Sequence, residues 1–214
     1  KQLQAISRHD DTKFSSVTGV KKIKGISTPS RVKIFEAITK AHGFDDVMPK
    51  LISLSSLESF DYDIWYVSHA CMSHETVYNP YYAAVCAELS NVKYKVRKTL
   101  KLFLRSLSKD TESMSFKGLY MSGKFFGEVY SRCALIPAVY LSVFCVSSSM
   151  KSDTLLASCI CSTTRSFPKN SREQDVAQDQ TLVKYCKKLN SKIENGYLSS
   201  LPEINKFSSC SLLI

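Results

Sequence analysis

His69, Cys71 and His74 read, as text, like metal ligands. The apolar spacing around them is helical, and a helix turns by about 100° per residue. His69 and Cys71 then point about 160° apart, and His69 and His74 about 140° apart, so one zinc ion could not hold any two of them. Cys71 falls on the apolar stripe and reads as core. A Cys–His nucleophile pair could assemble only in the fold, and no catalytic signature surrounds any of the eight cysteines. Walker, GxGxxG, GxSxG and HExxH patterns are absent. Gly118, Gly123 and Gly127 have the wrong spacing to cradle a phosphate; they let helices approach closely or mark local breaks. The expectation is a protein without enzymatic activity, metal, cofactor or small-molecule substrate.

Charge is more informative. In "NVKYKVRKTLKLFLRSLSK", Lys93, Arg97, Lys101 and Arg105 recur every four residues, and Lys95 and Lys98 widen the basic face. Val92, Val96, Phe103 and Leu107 occupy the other side. Such a face suits a phosphate backbone, although an ordinary solvated helix face has the same composition. Lys21, Lys22 and Lys24 add a second basic cluster near the start of the chain. No aromatic RNP-type motif accompanies either, so backbone contact without sequence readout is expected. "LESFDYD" offers the reverse case. Glu58, Asp61 and Asp63 near a helix start either complement the helix dipole or form an acidic protein-docking patch.

These groups sit in a chain of 214 residues with a formal net charge of +10, 29 Lys and Arg against 19 Asp and Glu. That excess fits a polyanionic partner such as RNA. With 44% hydrophobic residues there is enough to build a core, and only seven Gly and six Pro argue for helices over many short strands. The cysteines include no CxxC pair; Cys71, Cys86, Cys133 and Cys145 lie in apolar helical contexts, and a reducing compartment fits. "CSLLI" places Cys210 one residue too far from the end for a prenylation box. No hydrophobic leader opens the chain. The most apolar run, Cys133 to Met150, contains Pro137 and several serines and reads as a buried core helix, not a membrane span.

The elements follow from periodicity. Residues 1–27 read as a basic extended arm. Ser27 or Thr28 can cap a helix with Pro29 in its first turn and Val32, Ile34, Phe35 and Ile38 buried. Phe44, Val47, Met48, Leu51 and Ile52 form the next amphipathic set, with Pro49 awkward unless it falls in a first turn. Leu57, Phe60, Ile64, Val67 and Cys71 mark a helix ending near His74, and Tyr78, Tyr82, Val85, Cys86 and Leu89 continue the period beyond the corner. An interruption is expected at Ser90-Asn91, before the stripe Val92, Val96, Leu100, Phe103 and Leu107. Further helices are expected at about Met114–Tyr130, Leu135–Val146 and Lys151–Phe167. After them come a polar linker, "TLVKYCKKLNSKI" as a short helix and a docking tail to residue 214. Short connections imply antiparallel neighbours and an all-α layered fold.

The corner "HETVYNPYYAAVCAEL" is read as architecture. Tyr78 and Tyr82 should pack toward the core, Asn79 can cap, and Pro80 suits the start of the next helix.

"PSRVKIFEAITKAHGFDDVMPKLISL", "HACMSHETVYNPYYAAVCAEL" and "KTLKLFLRSL" together resemble the MA-three domain, a helical-repeat module of initiation factor four-gamma relatives. The Tyr-Asn-Pro-Tyr-Tyr at 78 to 82 after Glu75-Thr76 most resembles the version in nucleolar MIF-four-G-domain proteins, the yeast Sgd-type factors. "KFFGEVYSRCALIPAVYLSVF" is similar to their next hairpin. The resemblance covers roughly residues 28–167 and implies stacked antiparallel helical hairpins of HEAT-like form, flanked by the arm (1–27) and by a linker, short helix and tail (168–214). It further implies a nucleolar, nuclear location and a role in small-subunit (18S-type) pre-rRNA processing within the small-subunit processome. The partners it implies are pre-ribosomal RNA, assembly proteins and a DEAD-box helicase of the initiation factor four-A type, with no membrane. That family's helicase contact is attributed mainly to a MIF-four-G domain preceding this segment. The alternative expectation is an MA-three-type adaptor that docks a DEAD-box helicase in translation or splicing.

Overall fold

The computed structural model describes residues 23–133, and among them every regular element is helical. The helices are α1 (Pro29–Thr39), α2 (Phe44–Leu54), α3 (Phe60–His74), α4 (Tyr81–Val92), α5 (Tyr94–Asp110) and α6 (Phe116–Arg132), with a 3-10 turn at Thr111–Ser113. Lys21, Lys22, the two helices expected after residue 133, the linker and the tail lie outside the described residues. The chain divides into two compact units between Thr99 and Leu100, and α5 is one continuous helix running through that division.

Local chemistry explains most boundaries. Thr28 caps α1, its Oγ1 accepting from the Arg31 amide at 3.3 Å, and Pro29 takes the first turn, where its missing N–H costs nothing. Asp45 and Asp46 stand in the first turn of α2, and Asp61 and Asp63 in that of α3, both favourable against the helix dipole. Pro49 lies inside α2 after all; its exposed position lets water satisfy the carbonyl that its ring leaves without a donor. The interruption expected at Ser90-Asn91 falls at Lys93 instead, whose backbone is extended (φ −121°, ψ 107°). Ser90 is helical and buried, and its hydroxyl is satisfied by donating to the Cys86 carbonyl at 2.8 Å.

In the first unit α1 packs on α2 and α3, and α4 on α2 and α3. Ile34, Ile38, Val47, Leu51, Phe60, Ile64, Trp65, Val67, Tyr82, Val85 and Leu89 are completely buried there. Each such side chain contributes roughly 1.5–3 kcal/mol of transfer free energy. Val32 and Phe44 are only half-buried, and Ile52 is exposed, so the apolar stripes are narrower than their sequence pattern. In the second unit Ser115 caps α6 by accepting from the Gly118 amide at 3.1 Å. Phe126 meets Phe125 edge-on and Phe103 at a tilt, ring centroids 5.1 and 6.2 Å apart, in the preferred aromatic geometries.

Residues 23–26, at the end of the expected arm, are packed against the first unit. Ile23 and Ile26 are buried, and Gly25 turns the chain at φ +87°. Arg31 holds this turn: Nη1 donates to the Gly25 carbonyl at 2.8 Å and Nε to Asp63 Oδ1 at 2.8 Å, while the guanidinium stacks 3.9 Å from the Tyr66 ring centroid. Tyr66 donates to the Lys24 carbonyl at 3.3 Å. A Cβ on residue 25 would fall inside the Tyr66 hydroxyl, so both the backbone angle and the space favour glycine.

Candidate nucleic-acid interface

α5 is held in one rotational setting by its first turns. Trp65 of α3 donates from Nε1 to the Val96 carbonyl at 2.9 Å, and Thr99 donates to the Asp61 carbonyl. Arg97 sends Nε and Nη2 back to the Ser90 carbonyl at 3.3 and 3.2 Å. Lys93, at the α4–α5 break, donates to the Ser55 carbonyl at 3.1 Å and lies 5.3 Å from the Phe60 ring centroid. Its ammonium is 3.3 Å from Asp61 Oδ1, a buried atom with no hydrogen bond of its own, so this ion pair compensates that charge.

With Val96, Leu100, Phe103, Leu104 and Leu107 buried, the opposite face of α5 is turned to solvent. Lys95, Lys98, Lys101 and Arg105 are exposed on it, and among the described residues none makes an ion pair. Lys109, one further turn along, belongs to the same face and is also exposed; the sequence reading had not included it. The result is a run of cations without acidic neighbours on the helix until Asp110, with long side chains able to follow a phosphate backbone. Two apolar groups interrupt it: Tyr94 is 69% exposed and Leu102 55%. Neither belongs to the stripe that sequence periodicity picks out, and only their angular position between the lysines could have signalled them.

The candidate cations therefore divide. Lys95, Lys98, Lys101 and Arg105 face outward, whereas Lys93 and Arg97 are half-buried and engaged with backbone carbonyls. Lys24 is exposed, its carbonyl occupied by Tyr66.

The acidic trio divides likewise. Glu58 is exposed, Asp61 faces Lys93, and Asp63, its side chain 4% exposed, is bound by Arg31 and accepts from the Ser59 hydroxyl. The three do not form one surface patch.

At the corner, Tyr82 is completely buried and donates to Glu75 Oε1 at 2.8 Å, and its ring meets Tyr81 edge-on at 5.5 Å. Burial holds both tyrosine hydroxyls protonated, well above the usual phenol range, helped by the Asp46 charge at Tyr81 and by Glu75 at Tyr82. Asn79 Oδ1 accepts from the Tyr81 amide at 3.0 Å, closing the turn before α4. Pro80 sits at the helix start and is exposed; Tyr78 is half-buried and precedes the helix, so it is not stacked one helical turn from Tyr82.

Cys71 and His69 are both buried on α3. Burial and the nearby Glu75 push the Cys71 thiol up to about 12, leaving it protonated at neutral pH, and burial lowers His69 to about 4, leaving it neutral. His74 is exposed at the helix end.

No protein-family model matches this chain, and no curated protein or solved structure matches it.

Proposed function

We propose that the chain is a non-catalytic RNA-binding assembly module that grips phosphate backbones with the outer face of α5. The observation that carries this reading is the exposed set Lys95, Lys98, Lys101 and Arg105, without ion pairs among the described residues, on a helix whose rotation is fixed from inside. A net charge of +10 supports it. The pairing of α1 with α2, α3 with α4, α1 with α3 and α2 with α4 supports a stack of two antiparallel hairpins, as the resemblance to the MA-three domain implies. On that resemblance the RNA is the small-subunit precursor, the location is the nucleolus, and the proteins alongside are other assembly factors. An adaptor that docks a helicase through Glu58, Asp61 and Asp63 has less support, because Asp61 and Asp63 are spent on ion pairs within the first unit.

Tagging the protein, purifying it gently from cells and sequencing the RNA that accompanies it tests the proposal. Enrichment of small-subunit precursor RNA, lost at high salt and lost when Lys95, Lys98, Lys101 and Arg105 are changed to Gln, is expected. Recovery of messenger or spliceosomal RNA would redirect the assignment away from ribosome assembly. Recovery of none would reduce the basic face to a solvated surface.

A further inference from the structure

The solvent face of α5 contains an aromatic ring in the middle of its cations. Counting about 100° per residue, Lys101 and Arg105 project about 20° to either side of Tyr94, Lys98 about 40° away and Lys95 about 100° away. Tyr94 is the most exposed aromatic side chain among the described residues, and Leu102 lies beside Lys95 and Lys98 on the same face. A ring so placed contributes nothing to the core.

We infer that α5 binds single-stranded RNA, with Tyr94 as a platform on which an unpaired base stacks while Lys98, Lys101 and Arg105 hold the adjoining phosphates. The inference rests on the phosphate-binding reading of the same helix and adds the strandedness of its ligand. Three physical points favour a single strand. Base–aromatic stacking is available only where bases are not already stacked on each other, and it tolerates any base because every base offers a π face. An A-form duplex presents phosphates and ribose hydroxyls to a helix lying across it, and an aromatic ring among the lysines would find no partner there. A membrane surface would need the apolar face of an amphipathic helix, and in α5 that face, Val96, Leu100, Phe103, Leu104 and Leu107, is already buried in the protein.

Binding of the full chain to three fluorescent ligands of equal phosphate number separates the possibilities. They are a single-stranded oligouridine, a uridine–adenosine duplex of half its length, and an abasic ribose-phosphate strand as long as the oligouridine. Tyr94→Ala is expected to weaken oligouridine binding by roughly 5- to 100-fold and to leave the duplex and the abasic strand unchanged. Tyr94→Phe should bind as the parent does, because the ring and not the hydroxyl stacks. The triple change Lys98→Gln, Lys101→Gln, Arg105→Gln should weaken all three ligands. If the triple change does so but Tyr94→Ala alters nothing, the stacking inference is overturned and the phosphate reading stands. If no RNA binds, or only vesicles containing phosphatidylserine do, both are overturned.

Discussion

Lys93 and Lys98 are five residues apart, carry the same charge and belong to the same basic run, yet they sit in opposite environments. Lys93 is half-buried over the Phe60 ring, bonded to the Ser55 carbonyl and facing a buried carboxylate oxygen. Lys98 is exposed and makes no ion pair among the described residues. The first closes the α4–α5 junction, and the second is left exposed on the outer face of α5. The same contrast separates Arg31, which ties the 23–26 turn to α1 and α3, from Arg105 on the outer face of α5. Positive charge alone says nothing about role. What decides is whether an acidic or carbonyl partner waits inside, and that depends on helix phase and on chain breaks such as the one at Lys93.

The strongest way to break this contrast is at Arg31. Arg31→Ala would leave Asp63 buried with only the Ser59 hydroxyl and would free the Gly25 turn. A loss of roughly 3 kcal/mol in urea unfolding is expected, in the range for removing one partner of a buried pair. Arg105→Ala, by contrast, should change stability by less than about 0.5 kcal/mol. Equal effects of the two would remove the distinction between internal and external cations.

The interior of the first unit should also announce itself through pH. His69, lowered to about 4 in the fold against an ordinary 6.5, is neutral when folded and takes up a proton when unfolded. Between those values the unfolded state binds more protons, so stability is fully present above about pH 6.5 and falls as pH drops toward 4. The fall attributable to this group is of order 3 kcal/mol. His69→Gln should flatten that part of the profile; an unchanged slope would show that other groups govern it.

A subtler test is at the junction. Lys93→Met would leave Asp61 Oδ1 without compensation and should cost about 1–3 kcal/mol, whereas Lys98→Gln should be nearly silent in the same unfolding measurement. Should both prove silent, the Lys93–Asp61 pair is an ordinary surface contact.

How much of this was legible beforehand follows the same line. The apolar periods identified α3, α4 and α6 within about three residues, because Phe60, Ile64, Val67 and Cys71, or Tyr82, Val85, Cys86 and Leu89, bury as regular helical stripes. Thr28 and Pro29 marked the start of α1 through capping chemistry that is local. The burial of Ile23 and Ile26 was not legible, since it depends on Arg31 and Tyr66 reaching back from helices later in the chain. Nor could the sequence divide the basic stripe, because Lys93 and Arg97 fit a four-residue spacing as well as Lys101 and Arg105 do. Their partners, Ser55, Asp61 and Ser90, are found only when the chain folds. For the same reason the sequence left open whether Glu58, Asp61 and Asp63 complement the helix dipole or form one acidic patch.

The central claim is that the outer cations of α5, and not the inner ones, meet RNA phosphates. Its most direct test is the salt dependence of oligouridine binding by the parent chain and by a variant with Lys95, Lys98, Lys101 and Arg105 changed to Gln. Each phosphate contact on a single strand contributes about −0.7 to the slope of log K against log salt, so losing four should reduce its magnitude by about 3 with folding stability unchanged. A variant that binds with the parent's slope and affinity would contradict the account.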